Sequence, residues 1–146
     1  MFKQTRILGI DYGTKRIGLA ISDTDAQFGQ PYSVIKNSRK NLPEVISEIS
    51  DILKKEEVCE IVLGESKDFK GKDNAVMPEI TEFKEKLEKT LFDLSMQIPV
   101  IFEPEFLTSH QAAYFQGKHD LLDASSAALI LQSYLDRKNN ILKNKK

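Results

Sequence analysis

Apolar residues enter the chain as two short runs, 7–10 and 17–22, separated by Gly13, Thr14 and the basic pair Lys15 and Arg16. That pattern predicts two strands joined by a tight turn. A third strand is expected over 32–35, after the polar, glycine-containing stretch 24–30, because aromatic and β-branched residues suit a half-buried pleat. The period then changes. Leu42, Val45, Ile46, Ile49, Ile52 and Leu53 recur at helical spacing, with Pro43 near the front, where a missing N–H costs little, and Asn41 placed to cap. Residues 60–63 predict a strand ending at Gly64, followed by a charged loop through Asn74 and a helix with Ile80, Phe83, Leu87, Leu91 and Leu94 on one face. Residues 99–102 predict a last strand, whose ladder Pro104 should stop. Thr108 or Ser109 is placed to cap a short helix through Phe115, ended by Gly117. Asp123 then precedes the most apolar helix, carrying Ala127, Ala128, Ile130, Leu131, Tyr134 and Leu135.

A hairpin followed by alternating helices and strands implies an α/β fold: a mixed sheet, antiparallel at its start and parallel afterwards, with helices on both faces. At 146 residues the chain suits one domain, taken as 1–138, with a basic, flexible tail over 139–146. Apolar residues at 40% and charged residues at 29% give the balance of a globular protein. The lone Cys59 excludes an internal disulfide and a multi-thiolate zinc site, and fits a reducing compartment. Asp11 and Gly13 interrupt the first apolar stretch, so neither a signal peptide nor a membrane span is expected and the reading is cytoplasmic. A formal net charge of −1 gives no overall pull toward nucleic acid, so any such affinity must come from local basic patches.

Asp11, Gly64 and Glu105 fall at or near the ends of three strands, and the carboxyl ends of parallel strands are where such sheets bind ligands. Asp11 is followed at once by Tyr12, Gly13, Thr14, Lys15 and Arg16, which brings a carboxylate, a tight turn and two cations together. The carboxylate can bind a hard cation, the glycine lets backbone approach a phosphate, and the basic pair can hold another. The plainer reading has Asp11 closing a turn beside solvated cations. Glu103 and Glu105 flank Pro104, and either could face a metal. Asp123 reads first as an N-cap, although a carboxylate at a helix start can cap and bind metal together. Crowded acids need cations to neutralise them, and two magnesium ions about 4 Å apart support phosphodiester hydrolysis with no serine, cysteine or histidine nucleophile. His110 and His119, the only histidines, are too few and too far apart for a metal cluster or catalytic pair. Basic residues gather as Lys15 with Arg16, Lys36 with Arg39 and Lys40, Lys67 with Lys70 and Lys72, and from Arg137 onward; most such runs are solvated faces.

The run GIDYGTKRIGLAISD, 9–23, resembles the opening motif of the YqgF family of pre-16S rRNA nucleases, also described as Holliday junction resolvases. IVLGESKDFKGKDN (61–74), EFLTS (105–109) and DASSAALILQSYLD (123–136) resemble its later segments in order. The resemblance implies a ribonuclease H-like fold with Asp11, Glu105 and Asp123 as an acidic triad for Mg2+, with Mn2+ as substitute. It implies that Gly13, Thr14, Lys15, Arg16 and Ser109 contact nucleic acid, and that the role is trimming the 5′ end of a 16S rRNA precursor. In the family the acidic motif usually has aspartate before the glutamate and arginine after it. Pro104 and Phe106 stand there in this chain, which removes a phosphate-binding cation, and Glu65 and Ser66 replace a common apolar and proline pair. The competing expectations are a branched-DNA resolvase and a non-catalytic RNA or ribosome-assembly binding module, for which Phe106 is the best support. Asp11-Tyr12-Gly13-Thr14 also resembles the phosphate loop of the actin and sugar-kinase ATPases, but those need two lobes. Monomer and two-fold homodimer both remain open.

Overall fold

The computed structural model of the chain describes residues 6–37, 39–67, 75–106 and 119–144; within these, only the backbone of 39, 66, 67, 105, 106, 119–123 and 142–144 is described. In order along the chain come β1 (Arg6–Tyr12), β2 (Arg16–Ser22), β3 (Gly29–Lys36), a 3-10 turn (Arg39–Asn41), α1 (Leu42–Lys55), β4 (Val58–Lys67), α2 (Met77–Asp93), β5 (Val100–Phe106) and α3 (His119–Asn144). The strands form one sheet in the order β3-β2-β1-β4-β5. β1 pairs antiparallel with β2, and β2 with β3, whereas β1–β4 and β4–β5 are parallel. The mixed α/β sheet expected from the sequence is therefore present.

Strand alternation divides the core between the two faces. Leu8, Ile10 and Tyr12 of β1, with Ile61 and Leu63 of β4, pack against Val45, Ile49 and Leu53 of α1 and Ile80, Phe83 and Leu87 of α2. Ile7, Ala20 and Val62 point the other way, onto Ala127, Ile130, Leu131, Tyr134 and Leu135 of α3. α3 lies very close to the sheet: a Cβ built on Gly9 would stand 2.8 Å from Leu131 Cβ and 3.0 Å from the Ala127 carbonyl oxygen. Only a residue without a side chain allows that approach.

Several boundaries differ from the sequence reading for physical reasons. β4 runs past Gly64 to Lys67, because β5 continues alongside it with Gly64 opposite Glu103 and Ser66 opposite Glu105. Pro104 does not stop β5. It pairs with Glu65 on an edge strand, where a missing N–H can face away from the ladder. Asn41 sits at the N-cap position of α1 but makes no side-chain cap bond, while Pro43 falls in the first turn as expected. Leu94 is the C-cap of α2 and is 44% exposed, so it leaves the apolar face that Leu91 ends. Asp123 lies four residues inside α3 rather than at its cap, and the helix carries on through 139–144, the stretch expected as a tail. The short helix expected over 108–115 and the loop 68–74 lie outside the described residues. No helix among the described residues is long and apolar enough to cross a membrane.

Candidate functional site

Asp11 is the next-to-last residue of β1, half-buried, and opposite Gly18 of β2. Strand alternation puts it in phase with Ile7 and Gly9, on the α3 face, while its neighbour Tyr12 is anchored on the other face with its ring 5.0 Å from that of Phe83. The strand end carrying Asp11 is thus fixed by core packing on both sides. The turn beyond it is equally constrained. A Cβ on Gly13 would lie 2.5 Å from the Arg16 carbonyl oxygen, so only glycine fits. Asn37, just after β3, holds this turn from outside: its backbone N–H donates to the Lys15 carbonyl (2.9 Å) and its Nδ2 donates to the Gly13 carbonyl (2.7 Å). Asn37 is buried, yet its Oδ1 has no hydrogen-bond partner among the described residues.

On β5 the two glutamates separate. Glu103 is 3% exposed and accepts hydrogen bonds from Ser133 Oγ (3.1 Å) and from the Arg137 guanidinium of α3. Its carboxylate therefore ties the edge strand to the helix and is committed to structure. Glu105 lies two positions further toward the strand end, opposite Ser66; its side chain is outside the described residues. In strand register Ile10 lies opposite Leu63, so Gly64 adjoins Asp11, and Gly64 pairs with Glu103. The backbone thus brings positions 11 and 105 to the same end of the sheet.

Asp123 approaches from α3. Its side chain is likewise outside the described residues, but the helix around it is well placed: Ala127, one turn later, lies against Gly9, two residues before Asp11. Ala124 is buried and shares a cleft wall with Thr14, Lys15 and Arg16, whereas Asn139 bonds the Ala26 carbonyl at the opposite end. The first turns of α3 therefore point toward the carboxyl end of β1. Among the described residues no three His, Cys, Asp or Glu side chains gather to hold a metal.

The basic groups sort by what they touch. Arg137 pairs with Glu103, Lys138 reaches Glu60 at 3.5 Å, and both cations lie over the Tyr134 ring, so the start of the C-terminal basic run is occupied in packing α3. Thr14 and Lys15 are exposed, Gly13 and Arg16 half-exposed, and they stay together on the turn after Asp11. Ser109 and His110 lie outside the described residues, as do Lys70 and Lys72. The sequence reading missed Glu103 as a strut and Asn37 as a brace. Neither carries a local signal, because their partners are 30 and 24 residues away.

This sheet order with helices on both faces is the architecture of the ribonuclease H-like resolvases. Thermus thermophilus RuvC, solved in complex with Holliday junction substrate, superposes with a TM-score of 0.59 over 91% of this chain and 95% of that one, at 13% identity, a likeness of fold alone. The sequence profile of RuvX, described as Holliday junction resolvase, matches residues 5–137. The chain belongs to that family, a family of nucleases, in agreement with the YqgF resemblance. Similar relatives include two proteins named "Putative pre-16S rRNA nuclease". That of Caldanaerobacter subterraneus subsp. tengcongensis is 37% identical over 92% of this chain and 99% of its own length. That of Ruminiclostridium cellulolyticum is 38% identical over 90% and 94%.

Proposed function

We propose that this chain is a metal-dependent endonuclease that hydrolyses phosphodiester bonds and processes the 5′ end of precursor 16S rRNA in the cytoplasm. Asp11, Glu105 and Asp123 are the acids assigned to Mg2+, with Mn2+ as substitute. The observation that carries this reading is the convergence of β1, β5 and the first turns of α3 at one end of the sheet, beside the Gly13–Arg16 turn. Carboxylate oxygens are hard donors that suit such a cation, and Glu103, the other acid of β5, is already engaged by Ser133 and Arg137. When bound, the ions would supply neutralisation of the crowded acids and of the phosphate under attack.

The chain's own contribution is placement. Tyr12 against Phe83 and Gly9 against α3 fix where Asp11 ends. Gly13 lets the turn fold tightly, Asn37 holds it, and Thr14, Lys15 and Arg16 then offer a hydroxyl and two cations to the phosphates flanking the cleaved bond, with Ser109 the further assigned contact. The names of the relatives favour precursor rRNA, and the family description gives branched DNA as the second substrate.

The test is cleavage of a labelled precursor 5′ fragment and of a four-way DNA junction by wild type and Asp11→Asn, with Mg2+, Mn2+ or chelator. Metal-dependent RNA cleavage lost in Asp11→Asn is the expected result. Cleavage of the junction alone would make the protein a resolvase. No cleavage, with RNA binding retained when all three acids are alanine, would make it a binding module, consistent with Phe106 standing where the family carries arginine.

A further inference from the structure

The segments that resemble the nuclease family, 9–23, 61–74, 105–109 and 123–136, do not include β3. The sheet nevertheless brings the end of that strand to the site. β1 and β3 are each antiparallel to β2, so both finish at the end of the sheet where Asp11 stands. Asp11, Gly18 and Val34 form one cross-strand row, and alternation then puts Lys36, two residues past Val34, on the same face as Asp11. We propose that Lys36 is a substrate-binding residue of the nuclease, its ammonium holding a phosphate that flanks the cleaved bond on the β3 side. The inference rests on the nuclease reading and adds to it a contact from a strand that carries none of the assigned residues.

Lys36 is fixed in place through its neighbour. The Asn37 N–H donates to the Lys15 carbonyl (2.9 Å) and its Nδ2 donates to the Gly13 carbonyl (2.7 Å), which ties the end of β3 to the turn that follows Asp11. Strand spacing sets Lys36 about 10 Å across the sheet from β1 and about 7 Å beyond the Asp11 row. That separation suits a flanking phosphate rather than the one under attack. A cleft of about 880 Å³ lies beside Lys36 and is shared with Thr14, Lys15 and Ala124, the last of which follows Asp123 on α3. The cleft leaves room for a phosphate to reach Lys36 from the side of the acids.

Charge points the same way. Lys36 is directly opposite Arg16 in the β2–β3 ladder, an arrangement in which like charges repel. Arg16 already has another interaction, whereas Lys36 is exposed and makes no ion pair among the described residues. Glu44 and Glu48 of α1 border it in a smaller cavity without pairing with it. A cation held by the backbone next to other cations is stabilised by an anion, and phosphate is the anion that the proposed reaction brings.

The experiment measures binding of a labelled precursor 5′ fragment in chelator, across a salt series, and steady-state cleavage in Mg2+, for the full chain as wild type, Lys36→Ala, Lys36→Arg and Lys89→Ala. Lys89 is exposed on α2, across the sheet from Asp11, so its loss changes net charge equally and leaves the site untouched. Lys36→Ala should bind roughly two- to fivefold more weakly at low salt. The slope of log K against log salt should fall by about 0.7–0.9, the value of one lost phosphate contact. KM should rise by the same factor with kcat unchanged, because a flanking phosphate is held alike before and during the reaction. Lys36→Arg should restore most of the affinity, slope and KM, and Lys89→Ala should behave as wild type. A wild-type slope in Lys36→Ala would overturn the proposal, as would a loss of kcat at unchanged KM, an equal loss in Lys89→Ala, or failure of wild type to bind the fragment. Absence of cleavage by wild type would sink the nuclease reading instead, since the binding series reads the Lys36 contact without catalysis.

Discussion

Gly9→Ala is the sharpest test of how the fold sets the site. The new Cβ would stand 2.8 Å from Leu131 Cβ and 3.0 Å from the Ala127 carbonyl oxygen, and both atoms are fixed to the α3 backbone. Restoring an ordinary contact of about 3.8 Å requires α3 to lift by roughly 1 Å. Over-packing of this kind costs about 1–3 kcal/mol, which at about 2–4 °C per kcal/mol lowers Tm by roughly 5 °C. The lift also moves the Asp123 turn away from Asp11, and a misplacement of about 1 Å can cost ~100-fold in rate. Gly29→Ala is the milder comparison, because its Cβ would meet Leu131 Cγ at 3.0 Å and Cδ2 at 3.1 Å, side-chain atoms, and its one α3 backbone contact, the Ala128 carbonyl oxygen, is further off at 3.3 Å. Thermal melts and cleavage rates of both variants decide the matter. A wild-type Tm in Gly9→Ala, or a Gly29→Ala loss as large as that of Gly9→Ala, would refute the view that backbone proximity at Gly9 positions α3.

Further outcomes follow from the polar anchors. Arg137→Ala should destabilise by about 2–3 kcal/mol in urea titrations near neutral pH, because it leaves the buried Glu103 carboxylate with Ser133 as its one side-chain partner among the described residues. Glu103→Gln should cost less, since the half-exposed Arg137 returns to solvent; the reverse order would contradict the assignment of Glu103 as the buried member. The Asp23 carboxyl is held below its usual range, first by the Phe28 N–H, which burial opposes next and the Gln27 N–H then reinforces. A depressed folded pKa contributes stability that is present above the unfolded value of 3.8 and is lost as pH falls through the folded one. Urea midpoints of wild type should therefore fall relative to those of Asp23→Asn on acidification below about pH 4, and parallel curves would count against it.

The hairpin, the two faces of the core and the acid at the end of β1 were legible because each is written in local periodicity. Residues 7–10 and 17–22 alternate or run apolar, α1 repeats at helical spacing, and the structure places both as the pattern requires. What the pattern could not give was strand length at the sheet edge. Gly64 and Pro104 both carry local stop signals, yet β4 and β5 pass them together, since each strand supplies the other's hydrogen bonds and only β5 lies at the edge. A breaker acts on a strand through the ladder it would interrupt, and that ladder is a property of the sheet.

The same reasoning explains why Glu103 and Glu105 could not be told apart by local pattern, without the family resemblance. They are two positions apart on one strand, so alternation gives them the same face, and both flank the same proline. Their difference comes from α3, where Ser133 and Arg137 are spaced one turn apart and reach β5 only because Gly9 lets the helix settle close to the sheet. The glycine, the serine–arginine pair and the buried glutamate therefore form one positioning device, in which backbone proximity in β1 determines which acid of β5 is consumed by packing. An acid so consumed is unavailable for chemistry, which leaves Glu105, two positions nearer the strand end, as the β5 acid of the proposed triad. In the proposed triad the choice of Glu105 over Glu103 therefore rests on helix packing as well as on the family motif, which is why the local residue pattern alone left two candidates.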